Sequence, residues 1–264
     1  MRKEGGITMT IFTCKNQFDD MMTCIYEAWS SRLGHSNIKL KTEPIGTMEL
    51  FCDYRHVEAD RKKTQSVIRT IKQKISVRAY HMVYRAAMAA DEEDKLDIIY
   101  RFLILGFHYG KQVLDFLQNP VVMRIFELER KVINESHIFR ECIRFTEMDN
   151  HILVGIISPK CDVITLLAPE FVDRLPSENW MIVDDTRSMA VVHPADQQYY
   201  LTSLSEEEMS ELLTKESVAK DTDIMTMLWK EFFQTIGIKE RKNSTCQRNL
   251  MPLWYRKHMP EMSE

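Results

Sequence analysis

Glycine and proline are scarce in this chain, with 8 residues of each among 264. Their scarcity argues against a collagen-like chain, long flexible linkers and extended disorder. Hydrophobic residues make up 44% of the chain and charged residues 28%, as in an ordinary folded globular protein. The length permits a sizeable buried core, and we expect one compact domain over residues 1–264.

Cysteine is also sparse, with six residues scattered along the chain and no Cys-x-x-Cys spacing. This distribution argues against a disulfide framework and against a sequence-local zinc or iron–sulfur site. The first residues contain no apolar run that suits a signal peptide, and the most apolar stretch, Phe102–Phe107, is too short to span a bilayer. We therefore expect a cytoplasmic protein with reduced thiols and without a metal, a cofactor or a membrane association.

The common catalytic motifs are absent, including Gly-x-Gly-x-x-Gly, the phosphate loop ending in Gly-Lys-Ser/Thr, His-Glu-x-x-His and Gly-x-Ser-x-Gly. A catalytic site would therefore assemble from distant residues. His137 and Glu141 are candidate acid–base groups because they are four apart on a predicted helix. Asp185 is a third candidate, in an Asp184-Asp185 pair. The alternatives are a helix-surface contact for the first pair and a turn for the second.

Helical spacing of apolar residues dominates the chain over about residues 15–148. Asn16 or Asp19 can cap the first helix, which is predicted to end near Leu33 before a stop at Gly34. The later predictions are a helix capped by Asp60 with a stripe of Ile68, Ile71 and Ile75, a helix from Val77, a helix from Glu92 to Leu117 capped by Asp91, and a helix from Pro120 to Glu141. We expect these helices to form a bundle.

Short, closely spaced strands replace the long helices after about residue 150. The predicted strands are Ile152–Ile157, Val163–Leu167, Trp180–Asp184, Met189–His193 and Tyr199–Ser203. Strands so close together favour an antiparallel sheet. Two further strands, Ile11–Cys14 and Asn37–Lys41, are predicted to pair with each other near the start of the chain.

Helices return between and after these strands. The predicted ones are a short helix opened by Pro169 and ending at Arg174, a helix over Glu206–Leu213, and a helix over Thr222–Ile236 capped by Asp221. Helices followed by strands indicate an α+β fold. Its parts are an N-terminal and central helical bundle, a small antiparallel sheet, and a helical, basic C-terminal segment, the last two within about residues 150–264.

Positive charge is concentrated in two segments of an acidic chain. Residues 61–85 hold eight Lys or Arg and no acid, and residues 239–258 hold six against one Glu. The chain as a whole has a net charge of −4, so what lies outside the two segments carries −17. Such a distribution points to local contacts with an anionic partner, although a solvated surface is the ordinary alternative.

The first basic segment falls on a predicted helix, with cations on both flanks of its apolar stripe. Arg69, Lys72 and Arg78 are candidate phosphate contacts there. The alternatives are a solvated helix face and a face that pairs with the acidic remainder of the protein.

The second basic segment mixes cations with side chains that can contact bases. Its candidate nucleic-acid contacts are Arg241, Lys242, Gln247, Arg248, Arg256 and Lys257. Trp254 and Tyr255 offer faces on which bases can stack. The alternative is a segment that packs against the sheet with its cations reaching into solvent.

Long and unusual motifs lie along the second half of the chain. They are Asn134–His137, Phe139–Glu141, Arg144–Phe145, Leu166–Pro169, Phe171, Asp173–Arg174, Trp180–Arg187, Leu228–Phe233, Thr235–Asn243 and Gln247–Pro260. Together they resemble the motifs of a bacterial family of DNA-repair or DNA-metabolism proteins. Domains of this type also occur fused to uracil-DNA glycosylase-like domains, and the stand-alone form is encoded beside a radical SAM protein resembling spore photoproduct lyase. Glu170 departs from the family pattern, which has His at that position.

The resemblance implies DNA and the radical SAM protein as partners, but no reaction or catalytic residues. We therefore expect an accessory protein in DNA repair or metabolism that binds nucleic acid beside a radical SAM enzyme. One alternative is a DNA-acting enzyme of a glycosylase-like or nuclease-like kind. Another is a protein-interaction module that makes no DNA contact. A buried Arg144 paired with a carboxylate would give a structural reason for one motif arginine.

Overall fold

The computed structural model describes residues 9–90, 93–148 and 151–262, and the chain forms two compact units, residues 1–133 and 134–264. The sequence predicts one compact domain whose character changes near residue 150. The boundary between the two units lies inside a long helix, and the expected change from helices to strands falls near residue 150. Each unit is described by itself below.

The first unit contains a three-stranded parallel sheet. Its strands are β1 (Met9–Cys14), β2 (Ile38–Thr42) and β3 (Cys52–His56), in the order β2-β1-β3. The predicted pairing of the first two strands is confirmed, with Thr10 opposite Ile38. β3 was not predicted, because its polar, half-exposed sequence lacks a strand pattern. Helix α1 (Phe18–Ser30) connects β1 to β2, which lets the two strands run parallel.

The remaining helices of this unit are α2 (Arg61–Lys74), α3 (Val77–Ala87), α4 (Lys95–Tyr109) and the first part of α5 (Pro120–Cys142). Asp60 caps α2 as predicted, since its side chain accepts from the backbone N–H groups of Lys62 and Lys63. The predicted caps of α1 are wrong: the capping position is Gln17, which makes no side-chain hydrogen bond. The predicted cap Asp91 lies outside the described residues.

The second unit contains a five-stranded mixed sheet in the order β4-β5-β6-β7-β8. Its strands are β4 (Phe145–Met148), β5 (Ile152–Ile157), β6 (Trp180–Asp184), β7 (Met189–His193) and β8 (Tyr200–Ser203). The prediction of a purely antiparallel sheet is wrong for one pair, because β5 and β6 run parallel. The α+β class itself is confirmed.

A helix causes the parallel pairing. The predicted strand Val163–Leu167 is the start of α6 (Ile164–Arg174), and Pro169 lies inside this helix instead of opening it. A short apolar run does not distinguish a buried strand from a buried helix. Because α6 carries the chain back across the sheet, β6 enters beside β5 in the same direction, and both strands end at one edge.

The second unit ends in helices α7 (Glu206–Thr222), α8 (Ile224–Ile236) and α9 (Ser244–Leu250), followed by two short 3₁₀ turns. Asp223 caps α8, whereas the side chain of the predicted cap, Asp221, lies outside what the structure describes. Within the described ranges, no helix has both the length and the apolarity needed to cross a membrane.

Candidate nucleic-acid surface and sheet-edge cluster

Most cations of the first basic segment are exposed. Lys63 pairs with Glu27, and Arg85 pairs with Glu129 at 2.9 Å, so the acidic part of the chain neutralises two of the eight. The other six make no ion pair within the described part of the chain; they are Arg61, Lys62, Arg69, Lys72, Lys74 and Arg78. We call these six the helical basic surface. All three predicted phosphate contacts of this segment belong to it.

One member of the helical basic surface also contacts an aromatic ring. The ammonium of Lys72 lies 4.0 Å from the centre of the Tyr80 ring, a cation–π contact between α2 and α3. Its hydrogen-bond donors stay accessible, because Lys72 is exposed. Because residues 61–85 contain no acid, the exposed cations of this segment together attract a polyanion.

The second basic segment divides into an exposed part and an anchored part. Arg241, Lys242, Gln247 and Arg248 are exposed, and the three cations among them make no ion pair in the described ranges. Arg256 instead donates Nε to the Met251 carbonyl and Nη2 to the Gln247 carbonyl, both at 3.0 Å, and so caps the end of α9. The charge of Arg256 therefore serves the local fold.

The two aromatic residues of this segment also belong to the anchored part. Trp254 stacks on Tyr255 with ring centres 3.6 Å apart, and Tyr255 is buried against Phe139 of α5. Burial raises the pKa of Tyr255 well above its ordinary value. The ammonium of Lys160 lies 4.7 Å from the Trp254 ring centre. Base stacking on Tyr255 is therefore prevented by its own packing.

A polar cluster lies at the edge where the parallel strands β5 and β6 end. Ser158 follows β5, Asp185 follows β6, and Lys257 and His258 come from the last part of the chain. Asp185 Oδ2 accepts from Ser158 Oγ at 2.8 Å, from Lys257 Nζ at 2.6 Å and from His258 Nε2 at 3.3 Å. We call these four residues the sheet-edge cluster. The carboxyl ends of parallel strands are a common location for ligand sites.

The hydrogen bonds of the cluster determine the state of its carboxylate. Burial alone would raise the pKa of Asp185, but the hydrogen bonds from His258, Lys257 and Ser158 hold it well below its ordinary value. Asp185 is therefore a carboxylate at neutral pH, where it accepts hydrogen bonds and has no proton to supply.

The neighbouring aspartate has the opposite environment. Asp184 is fully buried, and burial raises its pKa to about 6 in spite of its ion pair with Arg187. Arg187 also donates to the carbonyls of Pro159 and Lys160. This arginine therefore fixes the loop that carries Ser158.

A carboxylate from α5 holds the same loop from the other side. The buried Glu135 accepts from the backbone N–H groups of Lys160 at 2.6 Å and Cys161 at 2.9 Å. The loop after β5 is thus fixed by a charged residue from the turn between β6 and β7 and another from α5, which makes Ser158 a preorganised hydroxyl.

The cluster differs from a Ser-His-Asp triad. The same atom, His258 Nε2, lies 2.9 Å from Ser158 Oγ and 3.3 Å from Asp185, whereas a triad uses the two ring nitrogens for the two partners. Sequence reasoning placed Asp185 and Lys257 among the site candidates but missed Ser158 and His258 as members of one site. The parallel pairing of β5 and β6 would have indicated the position of Ser158.

His137 and Glu141 lie apart from this cluster as a contact on the surface of α5. His137 Nε2 is 3.4 Å from Glu141 Oε1, and both side chains are about two-thirds exposed, at 67% and 66%. The alternative of a helix-surface pair is confirmed. Among the described residues, no group of three or more His, Cys, Asp or Glu side chains could hold a metal ion.

Arg144 has the structural contact that the sequence allowed. Its Nη2 is 2.6 Å and its Nε 2.9 Å from Glu261 Oε1, and the Glu261 side chain is 1% exposed. This pair fastens the last described residues to the start of β4. The guanidinium of Arg144 also lies 5.2 Å from the ring centre of Trp229 on α8.

Helix α8 is apolar on its exposed side. The exposed side chains include Ile224, Met225, Met227, Leu228, Phe232 and Ile236, each at least half exposed. A surface of this kind on a folded protein is typical of a contact with another macromolecule.

The fold and the site define an α+β protein. Its second unit has a mixed sheet with a preorganised polar cluster at the sheet edge, and its first unit has an exposed basic surface on α2 and α3. The chain belongs to the family of the domain of unknown function DUF4130, whose model matches residues 93–261. No curated protein and no solved structure is significantly similar to the chain. The resemblance implied a family without a known reaction, and the match to a domain of unknown function agrees with that part of it. The matched residues include the whole sheet-edge cluster, whereas the helical basic surface precedes them.

Proposed function

We propose that this protein binds nucleic acid through the helical basic surface and acts as a cytoplasmic accessory protein in DNA repair or DNA metabolism. The observation that carries the proposal is the set of six exposed cations on α2 and α3 that form no ion pair with a carboxylate of the described chain. Each can replace a counterion on a phosphate, which makes binding favourable and dependent on salt. The repair role and the radical SAM partner rest on the family resemblance.

The exposed cations of the second basic segment extend the proposal to the second unit. Arg241, Lys242 and Arg248 are available to phosphates, whereas Arg256 and Lys257 already have partners in the fold. Gln247 lies beside Arg248 on α9 and carries an amide that suits a base edge.

A salt titration tests this function. Affinity for labelled single- and double-stranded DNA is measured by anisotropy between low and moderate salt, for the wild type and for an Arg69→Gln, Lys72→Gln, Arg78→Gln variant. The slope of log affinity against log salt concentration should be smaller in magnitude by about 2 to 3 in the variant than in the wild type.

The matched control makes the same change in charge elsewhere, at the exposed cations Lys15, Lys111 and Arg130. A slope that falls equally in the control would mean that only net charge matters. If the wild type binds neither DNA at low salt, the proposed function is wrong.

The sheet-edge cluster favours a second candidate, an enzyme that acts on nucleic acid. Its carboxylate and its preorganised hydroxyl are groups that acid–base chemistry requires. The test is to incubate wild-type protein with DNA containing uracil, abasic sites and mismatches, and to repeat any reaction with Ser158→Ala and His258→Gln. Product formation that is unchanged in both variants would exclude this cluster as the site.

The exposed apolar side of α8 favours the interaction module of the alternative hypotheses. If protein interaction is the main function, the radical SAM protein should co-purify with the wild type after nuclease treatment. A Leu228→Glu, Phe232→Glu variant should lose the complex, while Lys111→Glu, on an exposed position of the other unit, should retain it.

A further inference from the structure

An aromatic cleft lies beside the helical basic surface in the first unit. It has a volume of about 520 Å³ and is formed by α1, α2 and α4. The lining residues that matter here are Tyr26, Trp29, Ser66, Thr70, Lys74 and Phe107. Its volume lies within the roughly 300–1,000 Å³ of typical small-molecule sites.

The aromatic rings of the cleft are held in place and still accessible. The Trp29 and Phe107 rings meet edge to face, with centres 5.3 Å apart at 87°, and Trp29 also contacts the rings of His35 and Tyr100. Trp29 remains 38% exposed and Tyr26 37%. Rings that are fixed by packing lose little entropy when a planar ligand stacks on them.

The side of the cleft formed by α2 is polar and positive. Ser66, Thr70 and Lys74 recur at intervals of four, so they share one face of the helix. Thr70 donates its hydroxyl proton to the Ser66 carbonyl, whereas the Ser66 hydroxyl has no hydrogen bond within the described part of the chain. Lys74 is exposed, and the structure shows no ion pair for it in the described ranges.

We propose that this cleft receives an unstacked base of a single-stranded nucleic acid whose phosphates contact the helical basic surface. The proposal rests on the proposed function and adds the form of nucleic acid that is bound. Trp29 and Tyr26 provide the stacking faces, the Ser66 hydroxyl contacts a base edge, and Lys74 contacts the phosphate beside it.

Charge complementarity distinguishes this occupant from a peptide or an uncharged small molecule. Lys74 at the cleft is one of six unpaired cations on α2 and α3, and residues 61–85 contain no acid. A chain with one negative charge per unit and a planar ring on each unit matches both the cations and the rings. Except for Phe107, the residues that form the cleft precede the DUF4130 match, so the proposal concerns the N-terminal part of this chain.

The test separates stacking from charge by comparing two strands of equal length and equal phosphate number, one of thymidines and one entirely abasic. Affinities are measured by anisotropy for the wild type, Trp29→Leu and Tyr109→Leu. Leu at position 29 keeps apolar packing but removes the ring, and Tyr109 is a control aromatic on α4, 44% exposed and outside the cleft.

We expect the wild type and Tyr109→Leu to bind the thymidine strand about 5- to 150-fold more tightly than the abasic strand, from 1–3 kcal/mol for one stacked base. Trp29→Leu should bind both strands with similar affinity. A 2-aminopurine placed in the strand should lose fluorescence on binding the wild type, because stacking quenches it.

The outcomes separate the two proposals. If neither strand binds, the proposed function fails. If the wild type binds both strands equally, the phosphate contacts are supported and the base site is wrong.

A second variant serves if Trp29→Leu proves unstable. Ser66→Phe keeps Trp29 and fills the cleft with a ring from an exposed position. A preference for the thymidine strand that survives Ser66→Phe would also overturn the base site.

Discussion

Adjacent aspartates at the end of β6 respond to pH in opposite ways. Asp184 is buried, and its raised pKa of about 6 means that the folded protein prefers its neutral form. Asp185 accepts three charged or polar donors, and its lowered pKa means that the folded protein prefers its carboxylate. One position therefore opposes folding at neutral pH and the other supports it.

Asp185→Asn should lower the free energy of unfolding at pH 7 by about 2 kcal/mol, because an amide replaces a carboxylate that accepts charge-assisted hydrogen bonds. The stability contributed by a lowered pKa is present above the ordinary aspartate value of 3.8 and is lost as pH falls below it. The difference between variant and wild type should therefore shrink below that pH. Urea unfolding at pH 7, 5 and 3.5 measures it.

Asp184→Asn provides the contrast, since a raised pKa contributes stability that is lost as pH rises from 3.8 towards about 6. The wild type should lose on the order of 3 kcal/mol from this group over that range. The variant should lack this decrease, whatever its absolute stability. An unchanged pH dependence in both variants would show that neither carboxylate is coupled to folding.

Close packing of α2 against α4 is possible because α4 carries a glycine at the contact. A Cβ added to Gly106 would lie 2.4 Å from Ile75 Cδ1 and 3.2 Å from Ile75 Cγ1. Gly106 and Ile75 are both buried, and glycine lowers helix propensity by about 1 kcal/mol relative to alanine. The close approach therefore explains a residue that the helix alone would disfavour.

Gly106→Ala should destabilise the protein by about 1–2 kcal/mol, because the clash with Ile75 outweighs the gain in helix propensity. Ile75→Val removes the clashing Cδ1. In the Ile75→Val background, Gly106→Ala should become neutral or stabilising. Thermal unfolding of the four proteins gives the coupling, and additive effects in this cycle would contradict the packing argument.

Charge at the scale of the whole molecule is distributed between the units. A net charge of −4 hides two basic segments, one in each unit, and only the second lies within the DUF4130 match. Cations in the two segments differ in their availability, since Arg256 and Lys257 have partners in the fold. The number of cations in a segment is therefore larger than the number that can contact a polyanion.

A variant with Arg241, Lys242 and Arg248 changed to Gln tests the second segment by itself. If both segments contact the same nucleic acid, this variant and the Arg69, Lys72, Arg78 variant should each reduce the salt slope, and the combined variant should show the sum. If the second-segment variant keeps the slope of the wild type, the cations of that segment do not contact the nucleic acid.

Arg256→Gln should lower the free energy of unfolding by about 1 kcal/mol and leave the salt slope of DNA binding unchanged.

Local signals in the sequence determined several elements correctly. Asp60 predicted the start of α2, and Pro120 predicted the start of α5. The apolar pattern of the two strands near the start of the chain predicted that these strands pair. Each of these features depends on residues a few positions apart, or on a strong apolar strand pattern. The α+β class follows from the same patterns, because helical and strand spacing differ over short windows.

Only the tertiary structure decided how β5 and β6 pair and which residues meet at their edge. The apolar start of α6 has no local feature that separates helix from strand, so the direction of β6 could not be read from it. Ser158 and His258 are 100 residues apart, and Arg144 and Glu261 are 117 apart. Contacts over such separations depend on how elements pack, and no local spacing encodes them. The sequence by itself thus determined which side chains are available, and packing decided which of them act together.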